Sequence, residues 1–208
     1  MNRIYLESKD SKTTEYTFIK SYLNHLIGDG WDTLFEIIPV NGKDNLHNSV
    51  NFFQETTDQG FKNIVIFDAD TEQNGGGFEK RRKELLAKKE ELNIEFDLFL
   101  FPNNKEDGDF ETLLERSINT NHQCLLDCFH KFENCVSSHK DDKGECIYVA
   151  PNRKAMMYTY IESMKKKEDE IKEFHNKKNY FFNNPEYWNI ESDALQDLKK
   201  FLMGYFKK

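Results

Sequence analysis

Short apolar segments alternate with amphipathic or charged segments four times within residues 1–118 of this chain. The apolar segments are rich in β-branched and aromatic residues, which is typical of strands, whereas the segments between them have the spacing and charge of helices. The predicted strands are Arg3–Leu6, Leu34–Val40, Ile64–Phe67 and Phe96–Phe101. Strands that alternate with helices form a parallel sheet with right-handed crossovers. The sequence therefore predicts an α/β, Rossmann-like fold with a four-stranded parallel sheet and helices on both faces.

The third predicted strand is followed directly by two aspartates. Ile64–Phe67 is apolar at every position, which indicates a strand buried on both faces; Asp68, Asp70 and a run of glycines ending at Gly77 follow it. Side chains two residues apart on an extended chain point the same way, so we expect both carboxylates to project from the carboxyl edge of the sheet. Ligands bind at this edge in open α/β sheets. Adjacent carboxylates stay ionised together only beside a cation or strong donors, and an oxygen-only site suits Mg²⁺ or Mn²⁺.

From residue 119 onward the pattern becomes helical. Apolar residues recur at helical spacing in three separate segments of this region. We therefore predict an α/β domain over residues 1–118 and a helical C-terminal region over residues 119–208 that packs on it. A single continuous domain is the alternative.

The composition limits the classes of function. The chain has 14% aromatic and 32% charged residues, as expected for a globular protein, and a net charge of −8. This charge argues against coating long nucleic acid through a broad basic face, although a local basic groove beside a metal ion is compatible with it. No apolar run approaches the roughly 20 residues that span a bilayer. Four cysteines and no apolar signal region predict free thiols in the cytoplasm.

Acidic residues follow three of the four predicted strands. Glu7 follows the first strand, Asp68 and Asp70 follow the third, and Asp109 and Glu111 follow the fourth. The carboxyl ends of parallel strands lie at one edge of a sheet, so residues that are distant in sequence become neighbours there. We therefore expect a shared metal site that includes Glu7, Asp68 and Asp70.

This arrangement resembles the Toprim fold, which topoisomerases, bacterial primases and OLD-type nucleases share. The resemblance depends on Glu7 at the end of the first strand and on Asp68-Ala-Asp70 at the end of the third, and it covers residues 3–118. Asn41-Gly-Lys43 is similar to the Gly-Lys turn that many Toprim members have after their second strand. Residues 101–114 resemble a loop of a Toprim-like group of small bacterial proteins, and for that group the likeness extends over the whole chain. Toprim proteins usually have glycine where this chain has Ser8.

The Toprim resemblance implies Mg²⁺- or Mn²⁺-dependent phosphoryl transfer on DNA or RNA, as in a nuclease. It implies that Asp68 and Asp70 hold the metal ion and that Glu7 completes the metal shell or acts as general acid and base. In OLD-type nucleases an ATPase belongs to the same polypeptide. This sequence has no Gly-x₄-Gly-Lys-Ser/Thr loop, so an ATPase would be a separate partner.

Five further residues have two open interpretations each. Lys9, Lys12 and Lys43 are candidates for phosphate contact, and the alternative is that they are solvated surface lysines. Asp109 and Glu111 either support the metal site, directly or through a second ion, or cap the following helix, where carboxylates are favourable.

Two alternative functions share the same aspartate motif. In a haloacid-dehalogenase-type phosphatase, Asp68 would be the nucleophile and Asp70 the general acid and base. That family usually has Thr or Val where this chain has Glu72, and its motif usually follows the first strand of the domain. The other alternative is a Toprim-like module that binds a metal ion, a nucleotide or a protein without turnover.

A zinc site is a further alternative. His122, Cys124, Cys128 and His130 lie close together in the sequence, but their spacing matches no closed structural zinc arrangement. The competing interpretation is that the cysteines are core residues of an amphipathic helix.

Overall fold

The computed structural model describes residues 1–177 and 179–206, and in this part of the chain four strands form one sheet. The sheet has the order β2-β1-β3-β4, and all neighbouring strands are parallel. The strands are β1 (Asn2–Leu6), β2 (Phe35–Pro39), β3 (Asn63–Asp68) and β4 (Asp97–Phe101). The predicted Rossmann-like α/β fold class is confirmed.

Helices follow each strand and continue to the C-terminal end of the described region. The helices that follow the strands are α1 (Thr14–Ile27), α2 (Val50–Asp58), α3 (Phe78–Glu91) and α4 (Phe110–Arg116). The later helices are α5 (Gln123–Ser138), α6 (Arg153–Ser163), α7 (Glu168–Lys177) and α8 (Gln196–Met203). Among the described residues, no helix is both long and apolar enough to cross a membrane.

Apolar residues cover both faces of the sheet because the strand side chains alternate. In β3, residues 64–67 are all 0% exposed, which confirms the prediction of a strand buried on both faces. Ile64 and Ile66 belong to a hydrophobic cluster with α1, α6 and α8. Val65 and Phe67 belong to a second cluster with α2 and α3. The predicted placement of helices on both faces is therefore confirmed as well.

The later helices lie against the α1 face of the sheet. Met157 of α6 and Leu198 of α8 are buried in the same cluster as Ile4 and Phe101 of the strands. This packing brings α6 close to the carboxyl edge of the sheet. Of the region predicted over residues 119–208, residues 178, 207 and 208 lie outside the described residues.

Candidate functional site

Glu7 and Asp68 meet at the carboxyl edge of the sheet, as expected. β1 and β3 are neighbouring parallel strands, with Leu6 in register with Ile66. The backbone amide of Asp68 donates a hydrogen bond to Oε2 of Glu7 across 3.3 Å. Oδ1 of Asp68 accepts a second bond, of 2.8 Å, from the backbone amide of Phe110 at the start of α4. These two carboxylates therefore connect the ends of β1 and β3 to the start of α4.

Both carboxylates line a cavity of about 570 Å³ between the sheet edge, α1, α4 and α6. The cavity has acidic, basic, hydroxyl and apolar residues. Its carboxylates are Glu7, Glu15, Asp68 and Glu111, and its lysines are Lys9, Lys12 and Lys154. Its other residues are Ser8, Thr13, Thr14, Phe110, Leu114, Met157 and Tyr180. It therefore combines a dense cluster of acidic groups with nearby positive charge.

Burial raises the pKa of all four cavity carboxyl groups above their ordinary values. Burial, followed by the charges of Glu15, Glu7 and Glu111, raises the pKa of Asp68 well above its usual range. Burial, followed by the charges of Glu7 and Glu111, raises the pKa of Glu15 to about 8. Glu15 therefore keeps its proton near neutral pH unless a cation neutralises the cluster.

Asp70 is not among the residues that line the cavity, although its charge adds to burial in raising the pKa of Glu7. Its backbone has φ +59°, in the left-handed region, so the chain leaves the extended conformation directly after β3. The alternation of side chains that holds along a strand no longer applies there. The Asp70 carboxylate forms an ion pair with Arg81 of α3. Its carbonyl oxygen accepts a 2.8 Å hydrogen bond from the Gly108 amide.

The Asp70–Arg81 pair belongs to a network outside the cavity. Arg81 is only 6% exposed, and its Nη1 also lies 3.2 Å from Glu84. Glu84 in turn pairs with Lys43, which is not a cavity residue. Lys43, one of the three candidates for phosphate contact, is therefore paired with a residue of α3. Lys9 and Lys12, by contrast, do line the cavity.

Asp109 and Glu111 have separate roles. Asp109 caps α4: its Oδ1 accepts a 2.8 Å hydrogen bond from the Thr112 amide, and it also lies 3.3 Å from Arg153. Glu111 lines the cavity, and its Oε1 lies 3.9 Å from Nζ of Lys154. The two residues therefore differ: Asp109 caps the helix, and Glu111 lies beside the candidate metal ligands.

Sequence analysis missed several cavity residues. Glu15 stands in the first turn of α1, which begins at the same sheet edge where β1 ends. The sequence signal that could have identified Glu15 was an acidic residue at the start of the helix that follows the first strand. Lys154 and Tyr180 come from the helical C-terminal region, and nothing in their local sequence indicates that they face the carboxyl ends of the strands.

The donor atoms of the cavity fit a divalent cation in their chemistry. Carboxylate oxygens are the ligands that Mg²⁺ prefers, and Oε1 of Glu15 is buried without a hydrogen-bond partner. Within residues 1–177 and 179–206, no group of three or more His, Cys, Asp or Glu side chains is already arranged to hold a metal ion. Mg²⁺ is often held by one or two carboxylates with water completing its shell, and the cavity has four carboxylates.

The residues considered for zinc do not converge either. Cys124, Cys128 and Cys135 are exposed on α5, and Cys146 is exposed beyond the end of that helix. The competing interpretation as core residues was wrong, because α5 buries only Leu126 among its 16 residues.

Comparisons with known proteins identify a family. Neither the curated proteins nor the solved structures include a match to this chain. A family model described as "Protein of unknown function (DUF3226)" matches residues 1–207. The match covers nearly the whole chain, and the protein therefore belongs to this DUF3226 family.

Proposed function

We propose that this protein is a Toprim-type, Mg²⁺- or Mn²⁺-dependent phosphoryl-transfer enzyme that cleaves DNA or RNA. The observation that carries the proposal is the convergence of Glu7 and Asp68, from the ends of adjacent strands, on one cavity. Glu15 and Glu111 add two further carboxylates there. Such a concentration of buried acidic groups is characteristic of functional sites, because it is unfavourable for folding.

Glu7 and Asp68 would hold the metal ion, with oxygens of Glu15 and Glu111 available in the same cavity. A bound ion supplies charge neutralisation on the phosphoryl oxygens and orients the attacking water. Burial raises the pKa of Glu7, and a raised pKa favours a carboxyl group as general acid and base. Lys9, Lys12 and Lys154 supply local positive charge for phosphate groups in a chain whose net charge is −8.

In this proposal Asp70 acts as a positioning residue. Its ion pair with Arg81 and its bond to Gly108 connect the loop after β3 to α3 and to the loop after β4. Asp68 stands two residues earlier and depends on that loop for its orientation.

A nuclease assay with Mg²⁺ or Mn²⁺ tests the proposal. Cleavage of DNA or RNA should fall by about 100-fold or more in Asp68→Asn and in Glu7→Gln, the usual size of a lost acid–base or metal-holding group. Glu79→Gln, at an exposed position of α3, serves as the matched control and should keep full activity. Cleavage that persists in Asp68→Asn would contradict the proposal.

Two outcomes would favour the alternatives. Small-phosphoester hydrolysis that is lost in Asp68→Asn and complete in Glu7→Gln indicates the phosphatase. That mechanism needs Asp70 beside Asp68, whereas the structure pairs Asp70 with Arg81. Metal binding that depends on Asp68 without any cleavage indicates a binding module.

We further propose that the enzyme works in the cytoplasm. The cysteines at positions 124, 128, 135 and 146 are exposed and unpaired, which suits a reducing compartment.

A further inference from the structure

We propose that the cavity takes one nucleotide at a time, either a free nucleotide or the single-stranded end of a nucleic acid, and that it excludes a continuous duplex. The inference rests on the proposed function, because it names the substrate class of the same site. The size of the cavity, the chemistry of its lining and two buried polar atoms support it.

The size of the cavity matches a small ligand. Its volume of about 570 Å³ falls in the range of small-molecule sites, roughly 300–1,000 Å³. The carboxylates are recessed, and the Glu111 side chain is only 13% exposed. A stacked duplex keeps its nucleotides inside a stiff double strand, and a nucleotide must leave the stack before it enters a pocket. An end of a single strand enters without that step.

The cavity lining combines two kinds of chemistry. Carboxylates and lysines line it together with four apolar or aromatic side chains. The latter are Phe110, Leu114, Met157 and Tyr180, which are each at most 7% exposed. A ligand with an anionic phosphate and a flat base would contact both kinds of group. Inorganic phosphate would leave the apolar side chains uncovered, so the lining favours a nucleotide.

Two buried polar atoms of the cavity have no partner. Oγ of Ser8 and Oε1 of Glu15 are both without hydrogen bonds, and Ser8 is only 7% exposed. Buried polar groups are almost always hydrogen-bonded in folded proteins. The Ser8 hydroxyl is therefore free to donate to a phosphate oxygen, and the Glu15 oxygen is free to receive a cation or a donor from the ligand.

The lysines of the cavity are available for phosphate. Nζ of Lys154 lies 3.9 Å from Glu111, and its side chain is 79% exposed, so this ion pair is loose. Lys9 and Lys12 are exposed, and within the described part of the chain neither ammonium group makes a hydrogen bond or an ion pair. Each of the three cations can therefore turn to a phosphate without breaking a strong contact.

Calorimetric titration of the full chain, in buffer that contains Mg²⁺, tests the inference. The probes are a nucleoside 5′-monophosphate, inorganic phosphate, a single-stranded oligonucleotide and a covalently closed duplex circle. The monophosphate should bind about tenfold more tightly than inorganic phosphate, since burial of the base adds apolar contact. Lys154→Ala should weaken its binding by about tenfold, the effect of a lost charge-assisted hydrogen bond.

Two variants make this test specific. Ser8→Ala removes a hydroxyl that has no partner in the protein, so the variant should fold normally and bind the monophosphate several-fold more weakly. Lys83→Ala, at an exposed position of α3 on the other face of the sheet, is the control and should leave binding unchanged. Equal binding of monophosphate and phosphate, or full binding by Lys154→Ala and Ser8→Ala, would overturn the inference.

The nucleic acids identify the source of the nucleotide. Competition by the oligonucleotide supports a strand end, and binding of the monophosphate alone supports a free nucleotide. The inference would be refuted if the closed duplex circle bound as tightly as the single-stranded oligonucleotide. It would also be refuted if the circle were nicked internally as fast as the oligonucleotide is cleaved. If that nicking is lost in Asp68→Asn, the proposed function survives. Nucleotide binding without any phosphoryl transfer would support the inference and contradict the proposed function.

Discussion

The backbone amide of Asp68 donates a hydrogen bond to the carboxylate of Glu7, a residue 61 positions earlier in the chain. The bond joins the ends of two neighbouring parallel strands, β1 and β3. It brings two acidic side chains together at a point where burial already disfavours their charged forms. The pH dependence of folding and the candidate chemistry both originate in this cluster.

Without divalent ions, the protein should lose stability as the pH rises from about 6 to about 8. The pKa of Glu15 is raised to about 8, mainly by burial, so the folded state keeps a proton that the unfolded chain has already released in this window. When the folded state binds more protons, stability falls with rising pH. Glu15→Gln removes this titration, and its free energy of unfolding at pH 8 should exceed that of the wild type by about 1–3 kcal/mol.

Thermal unfolding of both proteins at the two pH values measures the effect. Glu79→Gln should keep the wild-type pH dependence, because this residue is exposed on α3. Equal pH slopes for Glu15→Gln and the wild type would show that Glu15 does not hold the proton.

The Asp70–Arg81 ion pair should contribute measurably to stability. Arg81 is 6% exposed, whereas the Asp70 side chain is 29% exposed and partly screened by water. Arg81→Met leaves Asp70 unpaired and should cost about 2 kcal/mol. The double variant Arg81→Met/Asp70→Asn should cost less than the sum of the two single changes, since both remove one interaction. Chemical denaturation measures the cycle.

Arg82→Met provides the matched control for the cycle. Arg82 is an exposed neighbour on the same helix, and its loss should change stability by less than about 0.5 kcal/mol. Strict additivity of the two single changes would mean that the ion pair does not couple the loop to α3.

Gly76→Ala should disrupt the loop that follows β3. A Cβ atom at position 76 would lie 2.4 Å from Cβ of Asp70 and 2.7 Å from the carbonyl oxygen of Ala69. The backbone has to shift, and we expect a loss of about 2–4 kcal/mol in unfolding free energy. In Gly144→Ala the new Cβ atom would meet only open space, but the backbone there has φ +81°. This variant should therefore lose about 1 kcal/mol of unfolding free energy from backbone strain alone. Equal losses in denaturant unfolding would rule out the clash.

Replacement of Asp109 should separate capping from catalysis. Asp109→Ala removes the N-cap of α4 and its contact with Arg153, and should lower stability by about 1 kcal/mol. Asp109→Asn keeps a capping oxygen and should stay within about 0.5 kcal/mol of the wild type with full metal-dependent activity. A large loss of activity in stable Asp109→Asn would assign the residue to the metal site instead.

Local pattern was sufficient for the strands and for the meeting of Glu7 with Asp68. Both residues follow or end apolar segments, and the topology of a parallel sheet places such ends at one edge whatever the connecting helices are. The same reasoning does not extend to Asp70, because β3 ends at Asp68. There the backbone conformation depends on Gly76, Gly108 and Arg81, and none of these contacts has a local signature in the sequence.

The alternation of apolar and helical segments by itself determined the four-stranded parallel sheet and which edge carries the acidic residues. Only the tertiary structure decided which side chains share the cavity. Glu15, Lys154 and Tyr180 reach it because α1, α6 and the segment after α7 pack on one face of the sheet through many small apolar contacts. The sum of such contacts has no short-range periodicity, so the sequence pattern does not show where the packed helices direct their polar residues.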